Sequence, residues 1–220
     1  QRPAPVQASF LGYPGTLGAE YVEYIIADPV VIPEAERAHY AECVAALPDC
    51  YLPADNRRQV GLMPTRAAAG LPAEGFVFAA FNGRQKIGPG MFDSWMRILS
   101  AVPGSLLWLA HAPPPAAEAM RREAGARGVA GSRLVFATQL PMPLHLARQR
   151  WADLFLDTLP YNAHTTASDA LWGGLPVLTT PGRGMHARCA ASILTSLGMA
   201  EMIAPDVAAF EATAIALAQD

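Results

Sequence analysis

The chain has 220 residues, 52% of them hydrophobic and 16% charged, with a formal net charge of −3. That is ample apolar material for one large α/β core. The absence of a basic block excludes a nucleic-acid surface, which needs clustered Lys and Arg to neutralise phosphate. No apolar run reaches the roughly 18 residues of a membrane span, and no signal-peptide pattern is present.

Cys43, Cys50 and Cys189 are scattered without a CxxC pair. They read as reduced, mostly buried thiols of a cytoplasmic protein. The histidines at 39, 111, 145, 164 and 186 lie too far apart for a helical metal site, so no structural metal is expected. The chain starts at Gln1 without Met and stops at Asp220 inside a predicted helix, as a piece of a longer protein would.

In chain order, Ser9 to Tyr13 is a short apolar strand followed by the turn Pro14-Gly15-Thr16-Leu17-Gly18. Ala19 to Ala27 carries a mixed apolar pattern and ends at Asp28-Pro29. Pro33 at a first helical position, followed by EAERAHYAECVAAL, predicts a helix. A polar, Pro-containing stretch from Leu52 to Pro72 reads as a linker. From Gly75 the pattern is regular, with apolar runs at 75–81, 105–109, 133–137, 154–157 and 176–179. Continuous rather than alternating runs predict strands buried on both faces. Helical stretches fall between them at about 89–101, 115–127, 142–150, 165–172 and 185–197, with a final helix at about 207–218. Alternation of this length means a parallel, Rossmann-like sheet with right-handed crossovers.

Four constellations carry chemistry. Phe81-Asn82-Gly83-Arg84-Gln85-Lys86 follows the first regular strand. Asn-Gly favours a tight turn, and Lys86 would sit over the crevice at the strand ends or be a solvated loop lysine. Gln139-Leu140-Pro141 opens the helix with His145 and Arg148. Backbone groups of such a loop can read a base edge while the imidazole stacks on it, or His145 is an ordinary half-buried helix residue. His164-Thr165-Thr166 starts a helix with two hydroxyls and unpaired N–H groups, a ready anion site, and Asp169 shares the face of Thr165 four residues on. Phosphate at that tip and ribose against the acid would suit a nucleotide diphosphate at the edge of a parallel sheet; a plain N-cap with a solvated aspartate is the alternative. Gly182-Arg183-Gly184-Met185-His186-Ala187 spells a dinucleotide fingerprint, but after the fifth strand rather than the first. No nucleophile elbow and no P-loop occur.

Residues 11–28 (LGYPGTLGAEYVEYIIAD), 81–87 (FNGRQKI), 102–113 (VPGSLLWLAHAP) and 152–182 (ADLFLDTLPYNAHTTASDALWGGLPVLTTPG) resemble the catalytic region of O-linked N-acetylglucosamine (O-GlcNAc) transferases, bacterial members included. The motifs occur in the family's order along nearly the whole chain. The resemblance implies a GT-B arrangement of two Rossmann-like lobes. Residues 1–72 would be the tail of the N-terminal lobe plus linker, and 73–220 the C-terminal, UDP-sugar-binding lobe. The rest of the first lobe and a tetratricopeptide array would belong to the parent chain.

The implied activity is metal-independent, inverting transfer of N-acetylglucosamine from UDP-GlcNAc to Ser or Thr hydroxyls of a protein acceptor, with UDP-GlcNAc as donor substrate and no cofactor. By motif position, Lys86 would contact the diphosphate and stabilise departing UDP. His164, Thr165 and Thr166 would hold the phosphates and Asp169 the ribose hydroxyls. His145 would stack on uracil, with Arg148 and the Gln139–Leu140 backbone nearby, and Tyr161 and Asn162 would lie in the loop beside the sugar. The pattern departs at Gly83, where the family has glutamine, at Met142, where a basic residue is common, and at Arg183, where an acid is expected. These leave open another UDP-sugar or a non-protein acceptor, or a non-catalytic nucleotide-binding module. The family's base residues lie mainly in the first lobe, so this span alone is expected to bind UDP without turnover.

Overall fold

The computed structural model describes residues 2–220 and holds two parallel sheets. The larger contains β4 (Val77–Ala80), β5 (Leu106–Leu109), β6 (Leu134–Phe136), β7 (Leu154–Leu156) and β8 (Val177–Leu178), in the order β6-β5-β4-β7-β8. Every residue of β4, β5, β7 and β8 is buried, as the uninterrupted apolar runs require of a sheet covered on both faces. All its pairings are parallel. The chain runs from β4 outward to β6, then returns to the other side of β4 with β7. The reversal leaves a crevice beyond the C-terminal ends of β4 and β7, the place where open α/β sheets bind ligands.

The helices fall where the sequence puts them: α1 (Pro89–Ala101), α2 (Pro114–Ala126), α3 (Met142–Arg148), α4 (Thr165–Trp172), α5 (Cys189–Ser196) and α6 (Val207–Gln219). α3 and α5 are each shorter than the predicted 142–150 and 185–197. The missing turns are 3-10 helix, at Gln149–Trp151 and Met185–Ala187. Proline at the first turn opens α1, α2 and α3, where its missing N–H costs nothing. No helix among the described residues is long and apolar enough to cross a membrane.

The smaller sheet contains β1 (Ala8–Ser9), β2 (Tyr24–Ala27) and β3 (Cys43–Ala46), with β2 central. It corrects two expectations. The strand at Ser9 to Tyr13 is only Ala8–Ser9. The helix expected after Pro33 is a 3-10 turn, Glu34–His39, followed by a strand. Glu42 explains the break: its carboxylate takes the Leu17 N–H (2.6 Å) and the Thr16 hydroxyl (2.7 Å), which draws the chain out of the helical path. Cys43 to Ala46 then pair residue by residue with Tyr24 to Ala27, and Cys43 is exposed rather than buried.

The smaller sheet is tied to α5. Asp28, fully buried at the end of β2, accepts the N–H groups of Val30, Val31 and Tyr51 and the Ser192 hydroxyl (2.6 Å). Ile25, Ala27, Val31, Ile32 and Tyr51 pack there with Met185 and Cys189. A buried carboxylate is tolerated because four donors replace its hydration.

One glycine sets how closely α3 and α4 meet. A Cβ at Gly173, just past α4, would fall 2.7 Å from the Gln149 Cβ and 2.8 Å from the Leu146 carbonyl oxygen. Neither is the end of a flexible side chain, so Gly173→Ala is expected to cost ~1–3 kcal/mol through overpacking. Urea denaturation measures it; a midpoint at or above that of the parent sequence would show that the helices can separate freely.

Candidate active site

The crevice is built by two strand ends. Asn82, just beyond β4, is buried and donates through Nδ2 to the Thr158 hydroxyl (2.8 Å) while accepting from the Thr166 hydroxyl (2.5 Å). The turn expected at Asn82-Gly83 is a 3-10 turn, Arg84–Lys86, and the Asn82 side chain bridges the crevice instead. Asp157, just beyond β7, is enclosed. Its Oδ1 accepts the N–H groups of Thr158 (2.7 Å) and Ala163 (2.6 Å), and its Oδ2 accepts the Thr179 hydroxyl (2.6 Å). Burial pushes the carboxyl up to about 6, against the pull of those donors. Together the two residues clamp the 158–164 loop and the first turn of α4 to the sheet.

The helix tip they hold is open. The N–H groups of His164, Thr165 and Thr166 meet no acceptor among the described residues, and His164 makes no side-chain cap. Thr165 is exposed and Thr166 half-buried. His164 shares a hydrogen bond with the His186 carbonyl (Nε2 to oxygen, 3.1 Å). Burial drives its pKa down to about 4, so the neutral ring donates from Nε2 and keeps Nδ1 as an acceptor. Tyr161 stacks on His164 (5.0 Å, 25°) and lies 5.3 Å from His186.

Lys86 reaches this tip. Its ammonium donates to the Asn162 carbonyl oxygen (2.8 Å) and lies 4.3 Å from the Tyr161 ring centroid. Burial lowers its pKa, while the carboxylate of Asp157 opposes the drop. Asn162 itself is buried and spends its amide N–H on the Thr158 carbonyl (2.8 Å). Its Oδ1 has no partner among the described residues but is enclosed, so Tyr161 is the more accessible of the two loop residues expected beside the sugar.

Beside the clamp lies a cavity of about 630 Å³ lined by Phe81, His111, Gln139, Leu140, His145 and Arg148, among others. Its size suits a nucleoside. His145 accepts at Nδ1 from Arg148 (2.7 Å from Nη2) and meets Phe81 edge-on at 5.3 Å. Burial and then the neighbouring Arg148 charge push its pKa down to about 4. A neutral ring that accepts at Nδ1 carries its proton on Nε2, so the Gln149 amide 3.1 Å away must turn its oxygen there. Arg148 is buried, holds the Thr138 carbonyl (2.5 Å) and lies over Phe81 and Trp108. It shapes the cavity wall more than it offers a free charge.

The structure thus brings Lys86, Tyr161 and residues 164–166 together, with Gln139, Leu140, His145 and Arg148 on the other side of the β4 end. Asp169 is different. It shares a helix face with Thr165, yet it is buried under Arg58, whose Nη1 lies 2.5 Å from its Oδ1. Sequence reading missed Asn82, Asp157 and Arg58. The first two carried a signal, a polar residue at the C-terminal end of an apolar run; Arg58, inside an apparent linker, carried none. The missing side chain at Gly83 has a partial replacement, because the Gln85 carboxamide sits 2.6 Å from where a Cβ would be. In the Gly182–Ala187 segment, the carbonyl of His186 takes the Asn162 N–H (3.0 Å), so this glycine-rich stretch braces the 158–164 loop.

Strand order, parallel register and a crevice at the chain reversal define the class: a Rossmann-like unit of the kind from which GT-B glycosyltransferases are built. The chain belongs to glycosyl transferase family 41, whose model matches residues 1–67 and 56–220. It is 36% identical, over 99% of its length, to the Arabidopsis thaliana probable UDP-N-acetylglucosamine–peptide N-acetylglucosaminyltransferase SEC, covering 23% of that protein. It is 38% identical to the Caenorhabditis elegans UDP-N-acetylglucosamine–peptide N-acetylglucosaminyltransferase over 72% of this chain and 14% of that one. A solved mutant of Thermobaculum terrenum O-GlcNAc transferase superposes on the whole chain with a TM-score of 0.91 at 34% identity, and 42% of that chain is matched. The chain therefore spans under a quarter of the length of these two curated relatives.

Proposed function

We propose that this chain forms the donor-binding part of an inverting, metal-independent transferase that moves N-acetylglucosamine from UDP-GlcNAc to Ser or Thr hydroxyls of proteins. The observation that carries the reading is the open α4 tip, with three uncommitted N–H groups and the Lys86 ammonium beside it. A departing diphosphate gathers negative charge, and fixed donors aimed at it supply the stabilisation that a bound cation would otherwise give. In this reading uracil occupies the cavity against His145 and the Gln139–Leu140 backbone. The diphosphate meets residues 164–166 and Lys86, ribose lies toward Asp169, and the sugar lies along Tyr161. The acceptor hydroxyl attacks the anomeric carbon from the face opposite UDP, so the configuration inverts. The base that takes its proton is assigned to the N-terminal lobe of the whole protein, which works in the cytoplasm. The activity for which the SEC and Caenorhabditis relatives are named supports this donor and acceptor.

Titration calorimetry with UDP in excess EDTA tests the reading. Binding is expected without divalent metal and is expected to weaken for UMP, which lacks the second phosphate. No heat up to millimolar UDP, or heat only after adding a divalent cation, would refute it. Because Gly83 and Arg183 depart from the family pattern, a panel of UDP-sugars with mass spectrometry of peptide acceptors reads which sugar the whole protein moves.

A further inference from the structure

Arg58 lies in the stretch between Leu52 and Pro72 that joins the two sheets and has no regular structure of its own. It is nonetheless held from four directions. Nη1 meets Asp169 Oδ1 (2.5 Å), Nη2 meets the Ser168 hydroxyl (3.2 Å), the guanidinium lies 5.0 Å over the Trp172 ring, and the Trp172 indole N–H donates to the Arg58 carbonyl (3.2 Å). These three partners are on α4, more than 100 positions later in the chain, while Nε donates locally to the Asp55 carbonyl (3.2 Å). The Asp169 carboxylate has no other protein hydrogen-bond donor among the described residues. Its Oδ1 is taken by Arg58, and its Oδ2 is left to accept.

Unlike Asp28, whose carboxylate has four neutral donors, a buried carboxylate with a single side-chain partner needs that partner to be a cation to stay ionised, and a fixed torsion to be a directional acceptor. A planar guanidinium stacked on an indole provides both, because its own rotamer is already set by the ring beneath it. We propose that Arg58 is a positioning residue for donor binding: it holds Asp169 charged and in one orientation, so that Oδ2 receives the ribose hydroxyls. This rests on the reading of Asp169 as the ribose acceptor. It assigns the apparent linker a part in the nucleotide site.

The test compares UDP with its 2′,3′-dideoxy analogue, which keeps base and diphosphate but has no ribose hydroxyls. Affinities are measured by calorimetry for the unsubstituted protein and for Arg58→Ala, Arg58→Lys and Asp169→Ala, with thermal melting to show that each is folded. Arg58→Ala is expected to weaken UDP about tenfold while leaving the dideoxy analogue unchanged. Arg58→Lys, which restores charge without the fork, is expected to recover part of the loss and also reports if the alanine variant does not fold. Equal losses for both nucleotides in Arg58→Ala would mean a general strut and would overturn the inference. So would unchanged UDP affinity in Arg58→Ala alongside a loss in Asp169→Ala, an outcome that leaves the ribose reading standing. Unchanged UDP affinity in Asp169→Ala removes the ribose reading and the inference with it.

Discussion

Replacing Lys86 with alanine is expected to lower kcat of the whole transferase by at least a hundredfold, with a smaller loss of UDP affinity. The asymmetry follows from where charge grows. In the ground state the diphosphate charge is spread over several oxygens and shared with solvent and the α4 N–H groups. As the glycosidic bond breaks, negative charge collects on the leaving oxygen. A fixed ammonium in a partly dry site then gains most, and removal of one such donor costs ~3–4 kcal/mol of transition-state stabilisation. Lys86 is prepared for this by its surroundings. Its burial strips water from the ammonium and lowers its pKa, so the charge pays little further desolvation when the donor arrives. The Asn162 carbonyl and the Tyr161 ring hold its place meanwhile. Arg58 cannot take over, because it is committed to Asp169. Lys86→Arg is expected to rescue poorly, since a planar fork does not fit the space of a compact ammonium. Initial rates at saturating donor and acceptor measure the effect. A fall of less than about tenfold in Lys86→Ala would mean that the helix tip alone stabilises the leaving group.

The second large effect is on stability. Asp157→Ala is expected to destabilise the fold by ~3–5 kcal/mol, because the Thr158 and Ala163 N–H groups and the Thr179 hydroxyl lose their acceptor in a closed interior. That is a large share of a typical domain's margin. Asp157→Asn is expected to be mild near neutral pH. Its amide oxygen keeps the two N–H bonds, and the Thr179 hydroxyl rotates to accept from the new NH₂ group.

The pair also isolates the carboxyl's titration. The folded pKa of about 6 lies above the ordinary 3.8, so the folded protein holds a proton that the unfolded chain has released. Asp157 therefore contributes stability that is complete below pH 4 and is lost as pH rises through 6, an effect of about 3 kcal/mol. The asparagine variant has no such loss, so its stability relative to the parent should climb between pH 4 and 7. His145 and His164 act with the opposite sign, since their pKa values are pushed down to about 4, but they cancel in the comparison. Urea melts of both proteins at pH 4.5 and 7 provide the measurement; a pH-independent difference would mean that Asp157 titrates at its ordinary value.

Much of this fold is written locally. The apolar runs that become β4, β5 and β7 are long enough to need burial on both faces, and that alone implies a parallel sheet. α4 begins at Thr165 and ends at Trp172 as expected, because a polar N-terminal cluster and the Gly173-Gly174 pair act within one or two turns of the residues they terminate. Lys86 and His164 were singled out for a related reason: they follow strand ends, and strand ends of such a sheet meet ligands, whereas Tyr161 was named only through the family resemblance.

What stayed hidden depends on partners far away in the chain. Cys43 to Ala46 could have continued a helix by local preference; β2 and the Glu42 carboxylate decided for a strand. Asn82 meets Thr166 across 84 positions and Arg58 meets Asp169 across 111, distances over which residue spacing carries no information. Local interactions among a few neighbours determine where strands and helices start and stop. Which buried acid receives which donor is settled only when the packed core removes water, because only then must each charge find a partner.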